Sequence, residues 1–337
     1  MKCDSVWFTW EDHRRSRELA GAFESKYIFL NSSLPRLFRY LVLSFKTIIE
    51  LKNERPHLVF CQNPSIVLAF VLCIYKRWFG YTLVVDRHSN FKFEHQSSSN
   101  PIWLLFWWVS KFTVRNANLT IVTNEDLKVI VDSWGGEGFV LPDKIPSMEV
   151  DQVEGENLND SVQVLAITTF DSDEPIMEII EAAEILGDSF TISFTGRYNK
   201  YFEGSREPVA VPKNVRLLGF VPEDEYRKLL GSADVAIVLT SKDLILNCGA
   251  YEAVAMNTPA VVSNTKTMKS FFHKGFVHVN LDPISIAKGI RYCQNNKSAL
   301  KSELFSLKLE LEKAWNLRQV EANRKFAEIT RMSWSSE

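Results

Sequence analysis

DLILNCGAYEAVAMNTPAVVSN, residues 243–264, is the stretch from which the rest of the chain is read. The apolar run DVAIVLT (234–240) leads into it and PAVVS (259–263) closes it. Between them Asn247, Cys248 and Gly249 read as a loop, and AYEAVAM has the residue types of a helix start. Strand, loop, helix and strand in that order make a βαβ unit, with the helix beginning where the first strand ends. First-turn N–H groups at such an end, with Gly249 allowing close approach, form a site for phosphate oxygens. Glu252 falls in the first turn, where a carboxylate reaches ribose hydroxyls. In the plainer alternative Gly249 makes a turn and Glu252 offsets the helix dipole.

The same rhythm extends outward in both directions. VQVLAIT (162–168), FTISFTG (190–196) and VRLLGF (215–220) precede the stretch as further strands separated by helical patterns. Upstream, VWFTW (6–10), KYIFL (26–30), HLVFC (57–61), TLVVD (82–86) and NLTIV (118–122) repeat it. Residues 142–161 lack periodicity and read as a linker. The expected architecture is α/β, with two Rossmann-like domains over 1–150 and 151–310 and a charged C-terminal helix over 311–337 crossing back to the first domain.

Composition is that of an ordinary globular chain: 337 residues, 46% hydrophobic and 24% charged, with net charge −2. The charge is uneven. Residues 36–116 hold eleven Lys and Arg against four Asp and Glu, interleaved with Trp, Phe, Leu and Ile. Basic residues among apolar ones suit an anionic membrane surface better than a nucleic acid. Five widely spaced cysteines show neither a disulfide framework nor a zinc pattern and imply a reducing compartment. Residues 56–75 carry no Asp, Glu, Lys or Arg, yet Gln62-Asn63-Pro64-Ser65 interrupts the run, so no spanning helix is expected. No signal peptide is expected either.

The run GFVPEDEYRKLLGSADVAIVLT…GAYEAVAMNTPAVVSN resembles the nucleotide-sugar-binding domain of GT-B glycosyltransferases, especially family 4-like enzymes. FCQNPSIVLAF, TLVVDRHSNF and NLTIVTNEDLKVIVDSWGGEGFVLPD are similar to these and to the β-1,4-mannosyltransferase branch of lipid-linked oligosaccharide synthesis. The resemblance implies a GT-B fold with two Rossmann-like domains facing a cleft. It also implies a nucleotide diphosphate sugar, UDP- or GDP-linked, as substrate, with no separate cofactor. Donor contacts are then expected from Asn247, Cys248, Gly249, Ala250, Tyr251 and Glu252. The chain departs from the pattern at Leu244, where relatives have a donor-gripping Glu, and at Thr168-Thr169-Phe170-Asp171, where many have Arg and Lys. Thr168 and Thr169 are expected to hold phosphates through hydroxyls and amides, with Arg197 or Lys200 supplying charge. Phe220 and Val221 are expected beside the base.

In the first domain His13, Arg14 and Arg15 open a helix after the first strand, an arrangement unfavourable to the helix dipole and suited to an acceptor phosphate. Asp86 and His88 end the fourth strand at the same edge. Asp86 is the candidate base, and by resemblance His88 meets the donor sugar or the reacting hydroxyl. NPIWLLFWWVSKF (100–112) is apolar all round, so Trp103, Phe106, Trp107 and Trp108 beside Lys111 are expected at lipid; a buried helix or a homodimer interface is the alternative. The expected function is metal-independent transfer of a sugar to a lipid-linked or polysaccharide acceptor. The expected setting is peripheral on the cytoplasmic face of the membrane, beside other polysaccharide-synthesis enzymes. The alternatives are a non-catalytic nucleotide-sugar-binding subunit and a nucleotide-sugar 2-epimerase.

Overall fold

A computed structural model describes residues 4–62, 66–88, 92–148, 161–202 and 211–335. The chain divides into two compact units, Met1–Lys144 with Ala314–Glu337, and Ile145–Lys313. Most of the linker read at 142–161 lies outside the described residues.

In the first unit the order is β1 (Ser5–Thr9), α1 (Arg14–Ala22), β2 (Lys26–Phe29), α2 (Arg36–Glu54), β3 (Leu58–Gln62) and α3 (Ile66–Phe79). It continues with β4 (Thr82–Asp86), α4 (Pro101–Asn116), β5 (Leu119–Val122), α5 (Glu125–Ser133) and β6 (Gly138–Val140). The six strands form one sheet in the order β2-β1-β3-β4-β5-β6, and all pairings are parallel. Parallel pairing forces each connection to cross over the sheet, which is why a helix follows nearly every strand.

The second unit repeats the plan with β7 (Val162–Ala166), α6 (Ile176–Leu186), β8 (Phe190–Thr195), α7 (Asn199–Phe202), β9 (Val215–Gly219) and α8 (Glu223–Ser232). Then come β10 (Val235–Val238), α9 (Cys248–Met256), β11 (Ala260–Ser263), α10 (Lys266–Phe271), β12 (Phe276–Val279) and α11 (Pro283–Asn295). Its parallel sheet has the order β12-β11-β10-β7-β8-β9. β8 and β10 therefore flank β7, which sets a topological switch point between β7 and β10.

Strands buried on both faces need apolar residues throughout, and β4, β5, β10 and β11 are buried along their whole length. α12 (Lys297–Ser335) follows α11 and places Leu304 and Leu307 in a core cluster of the second unit. Its later residues Trp315, Ala322, Phe326 and Ile329 belong to a core of the first unit, with Trp7, Phe23 and Phe60. The Phe326 ring meets Phe23 and Phe60 edge-on, with centroids 5.0 and 5.1 Å away, a favoured aromatic geometry. Phe326→Ala is expected to destabilise the protein by about 3 kcal/mol, read as a lower urea midpoint at unchanged m.

Candidate functional site

Each helix after a strand begins at the sheet's carboxyl edge, so the sequence-derived candidates gather on that edge of their own sheet. In the first unit His13 is the N-cap of α1, its Nδ1 accepting from the Arg15 amide at 3.3 Å. His88 follows β4, and the two imidazoles stack with centroids 5.1 Å apart and planes 23° from parallel. His88 Nδ1 lies 3.5 Å from Asp86 Oδ2. Burial lowers the His13 pKa and the adjacent His88 adds to this, while Asp143 and Asp86 oppose it.

Arg15 and Asp86 stand where expected, in the first turn of α1 and at the end of β4, but they are paired with each other. Arg15 is buried, and its Nε donates to Asp86 Oδ1 and Oδ2 at 3.1 and 3.0 Å. Its Nη2 donates to Asp86 Oδ1 at 2.8 Å and the Leu141 carbonyl at 2.9 Å, and its Nη1 to Asp143. Burial alone would raise the Asp86 carboxyl, but the Arg15 guanidinium, with His88, holds it well below the ordinary carboxylate range. A buried carboxylate engaged in this way is a poor base, and its guanidinium is not offered to an acceptor phosphate. Asp86 also stands beside the His88 imidazole. The cation at the α1 start is tolerated because two carboxylates meet it. Arg14 is half-buried and lies 3.8 Å from Glu18 one turn on. Burial also pushes Arg87 down to about 9, with its Nη2 donating to Ser110 Oγ at 2.9 Å.

The tryptophan helix is likewise turned. Trp103 stacks on His95 at 3.8 Å, and Trp107 packs against Phe93, Phe106 and Trp134 at 5.5 to 6.2 Å. Trp103, Phe106 and Trp107 are half-buried in this aromatic cluster, whereas Trp108 and Lys111 are exposed.

In the second unit the loop after β7 also satisfies itself. Thr168 Oγ1 donates to the Thr195 carbonyl. The Thr169 amide donates to both Glu174 oxygens at 3.1 and 2.9 Å, the Thr169 hydroxyl to Glu174 Oε1 at 3.1 Å, and the Asp171 amide to Glu174 Oε2 at 3.2 Å. A carboxylate of the chain thus occupies the Thr169 groups read as phosphate donors, and Thr195 takes those of Thr168. Asp173 accepts from Thr240 Oγ1 and, at 2.9 Å, from Lys242 Nζ, tying this loop to the one after β10 across the switch point. Lys242 has no motif around it and was missed in the sequence.

Arg197 is exposed after β8, its guanidinium 5.6 Å from the centre of the Phe220 ring. Phe220 is 71% exposed and Val221 half-buried. Gly196 has φ +103°, and a Cβ there would lie 2.3 Å from the Thr168 carbonyl oxygen, so only glycine lets these loops close. Asn247 is the N-cap of α9, and no side chain caps it among the described residues. A Cβ on Gly249 would press on Ile167 and Val238 at 3.1 to 3.3 Å, so this glycine seats α9 on the sheet. Gly249, Ala250 and Tyr251 are buried, Cys248 is exposed, and Glu252 accepts from Tyr226 Oη at 2.5 Å. Tyr226 is the other contributor the sequence did not reveal.

The buried Arg15–Asp86 pair makes a stability prediction. Asp86→Asn is expected to cost about 3 kcal/mol at neutral pH by leaving Arg15 under-compensated. Because the folded pKa of Asp86 is depressed, its contribution is complete above the ordinary value of 3.8 and is lost as pH falls towards the folded pKa. Denaturation of both proteins across pH checks this, and the gap between them is expected to narrow in acid.

Residues 149–304 match the family model of glycosyl transferases group 1. No curated protein matches the chain. Among solved structures, HepE of Anabaena in complex with UDP-glucose is 13% identical, with 99% of this chain and 100% of that one covered and a TM-score of 0.73. Sucrose-phosphate synthase of Thermosynechococcus elongatus is 16% identical, covering 96% and 86%, with a TM-score of 0.70. A putative UDP-N-acetylglucosamine 2-epimerase of Listeria monocytogenes is 12% identical, covering 90% and 91%, with a TM-score of 0.62. The chain has the GT-B fold of two Rossmann-like units, and the match to glycosyl transferases group 1 lies within the second of them.

Proposed function

We propose that the protein is a glycosyltransferase that moves a sugar from a UDP- or GDP-linked donor to a lipid-linked or polysaccharide acceptor, at the inner face of the membrane. The observation that carries the donor half is the carboxyl edge of the second sheet, where Glu252, the α9 start, Arg197 and Phe220 stand within the group 1 match. Glu252, steadied by Tyr226, takes the ribose hydroxyls. The α9 first-turn amides and Arg197 face the diphosphate, and this reading invokes no metal. The exposed Phe220 ring, backed by Arg197, offers a stacking surface to the base.

The acceptor half rests on His88. His88 Nε2 is the base in this reading, with Asp86 Oδ2 3.5 Å from the other ring nitrogen. His88 Nε2 takes the acceptor's hydroxyl proton as that oxygen bonds to the anomeric carbon and the bond to the diphosphate breaks. Positioning and charge stabilisation supply most of the remaining rate. One observation favours a second reading, a non-catalytic nucleotide-sugar-binding subunit: Glu174 already fills the Thr169 amide and hydroxyl.

Thermal shift against UDP-, GDP- and dTDP-sugars is expected to show stabilisation by one nucleotide class, because a ligand of the native state raises apparent stability. Glu252→Ala is expected to weaken that donor at least about tenfold, the loss of one or more hydrogen bonds to a charged group. His88→Ala is expected to keep the donor shift and lose transfer. No shift with any sugar nucleotide would refute the donor assignment, and transfer at the full rate by the His88 variant would remove His88 from the chemistry.

A further inference from the structure

A helix lying on a sheet ordinarily turns an apolar stripe inward and a polar face outward. α2 and α4 break this rule. On α2 the inward stripe Leu43, Thr47 and Leu51 is buried, yet Leu37, Leu41 and Phe45, spaced four residues apart on the outer side, are 78%, 70% and 65% exposed. On α4 Ser110, Thr113 and Val114 face inward while Leu105 and Trp108 are 61% and 56% exposed. α3 packs between them, its Phe70 ring 6.1 Å from that of Trp108. An apolar surface spread over neighbouring helices exceeds the scattered exposure normal for a soluble protein and marks an interaction site.

Charge selects the partner. α2, α3 and α4 together carry eight Lys and Arg against two Asp and Glu, and one of those acids, Glu54, is bonded to Lys26 at 2.7 Å. Two copies of this layer laid face to face would bring like charges together, whereas anionic headgroups over apolar acyl chains complement both features. Among the described residues no helix is long and apolar enough to cross a membrane, so the contact is one of surface insertion.

We infer that the outer face of α2 and α4 docks on an anionic lipid bilayer, with the leucine and aromatic side chains inserted and the basic side chains at the headgroups. Of the four aromatic residues expected at lipid on α4, Trp108 is exposed, while Trp103, Phe106 and Trp107 are half-buried in the aromatic cluster. Both helices follow strands, so their N-terminal halves, which hold the exposed residues, lie at the strand-carboxyl edge that also carries His13 and His88. The inference deepens the proposed function, resting on it for the acceptor: a hydroxyl borne by a lipid would reach His88 from this side.

Co-sedimentation of the full chain with vesicles tests it. Binding is expected to vesicles of phosphatidylcholine with phosphatidylglycerol, to be weak with phosphatidylcholine alone, and to fall as salt rises. The double variant Leu41→Glu, Phe45→Glu alters exposed positions and is expected to fold normally while losing at least about tenfold in vesicle binding. UDP and GDP affinities, measured on the same samples, are expected to be unchanged. Wild type that stays in the supernatant, or a variant that pellets as well as wild type, would overturn the inference. A dimer in sedimentation velocity that the same substitutions dissolve, without vesicle binding, would overturn it in favour of a second copy. Vesicle binding with no nucleotide affinity would instead refute the donor reading and leave the docking face standing.

Discussion

Every strand of a parallel sheet ends at the same edge, and everything proposed for this protein depends on that constraint. Because each connection must cross the sheet, the helices that follow the strands start at that edge and direct their N-terminal amides and first side chains there. The first sheet brings the α1 start and the end of β4 to one edge, so His13 and His88 stack although they are far apart in the chain. The second brings the loops after β7, β8, β9 and β10 together and seats α9 beside them through Gly249. The chemistry is set by which side chains occupy those few positions.

Not every charge on the edge is offered to a ligand. Charged groups withdrawn from water must be paired, and here the chain supplies the partners itself. Asp86 and Asp143 hold Arg15, Glu174 fills the nest at Thr169, and Asp173 holds Lys242. These internal pairs fix the loops from which His13, His88 and the α9 start project. Outside these pairs stand the stacked imidazoles in one unit and Arg197, Phe220 and Glu252 in the other.

The two-sheet architecture was legible because buried parallel strands read as short apolar runs between helical patterns. β6 and β12 escaped notice as edge strands, one of them three residues long and the other carrying His278 within FVHV. At the site, the unit around Gly249 was legible because strand, loop and helix are consecutive, but α9 begins at Cys248, earlier than read, so Glu252 lies beyond its first turn. Arg15 was not, since its partners lie 71 and 128 residues away and no local pattern records a long-range ion pair. The same holds for Tyr226 and Glu252, which are 26 residues apart. On α4 the sequence showed an excess of aromatic residues, but the direction each takes depends on His95, Phe93 and Trp134, which lie outside the helix.

The central claim is that a nucleotide diphosphate lies on the carboxyl edge of the second sheet, at the start of α9. Hydrogen exchange of the full chain with and without UDP and GDP locates the ligand directly. Slowed exchange is expected at the α9 start, residues 247–252, and in the loops at 196–198 and 219–222, with the amides of β1 to β6 unchanged. Protection confined to the first unit, or none anywhere at saturating UDP and GDP, would contradict it.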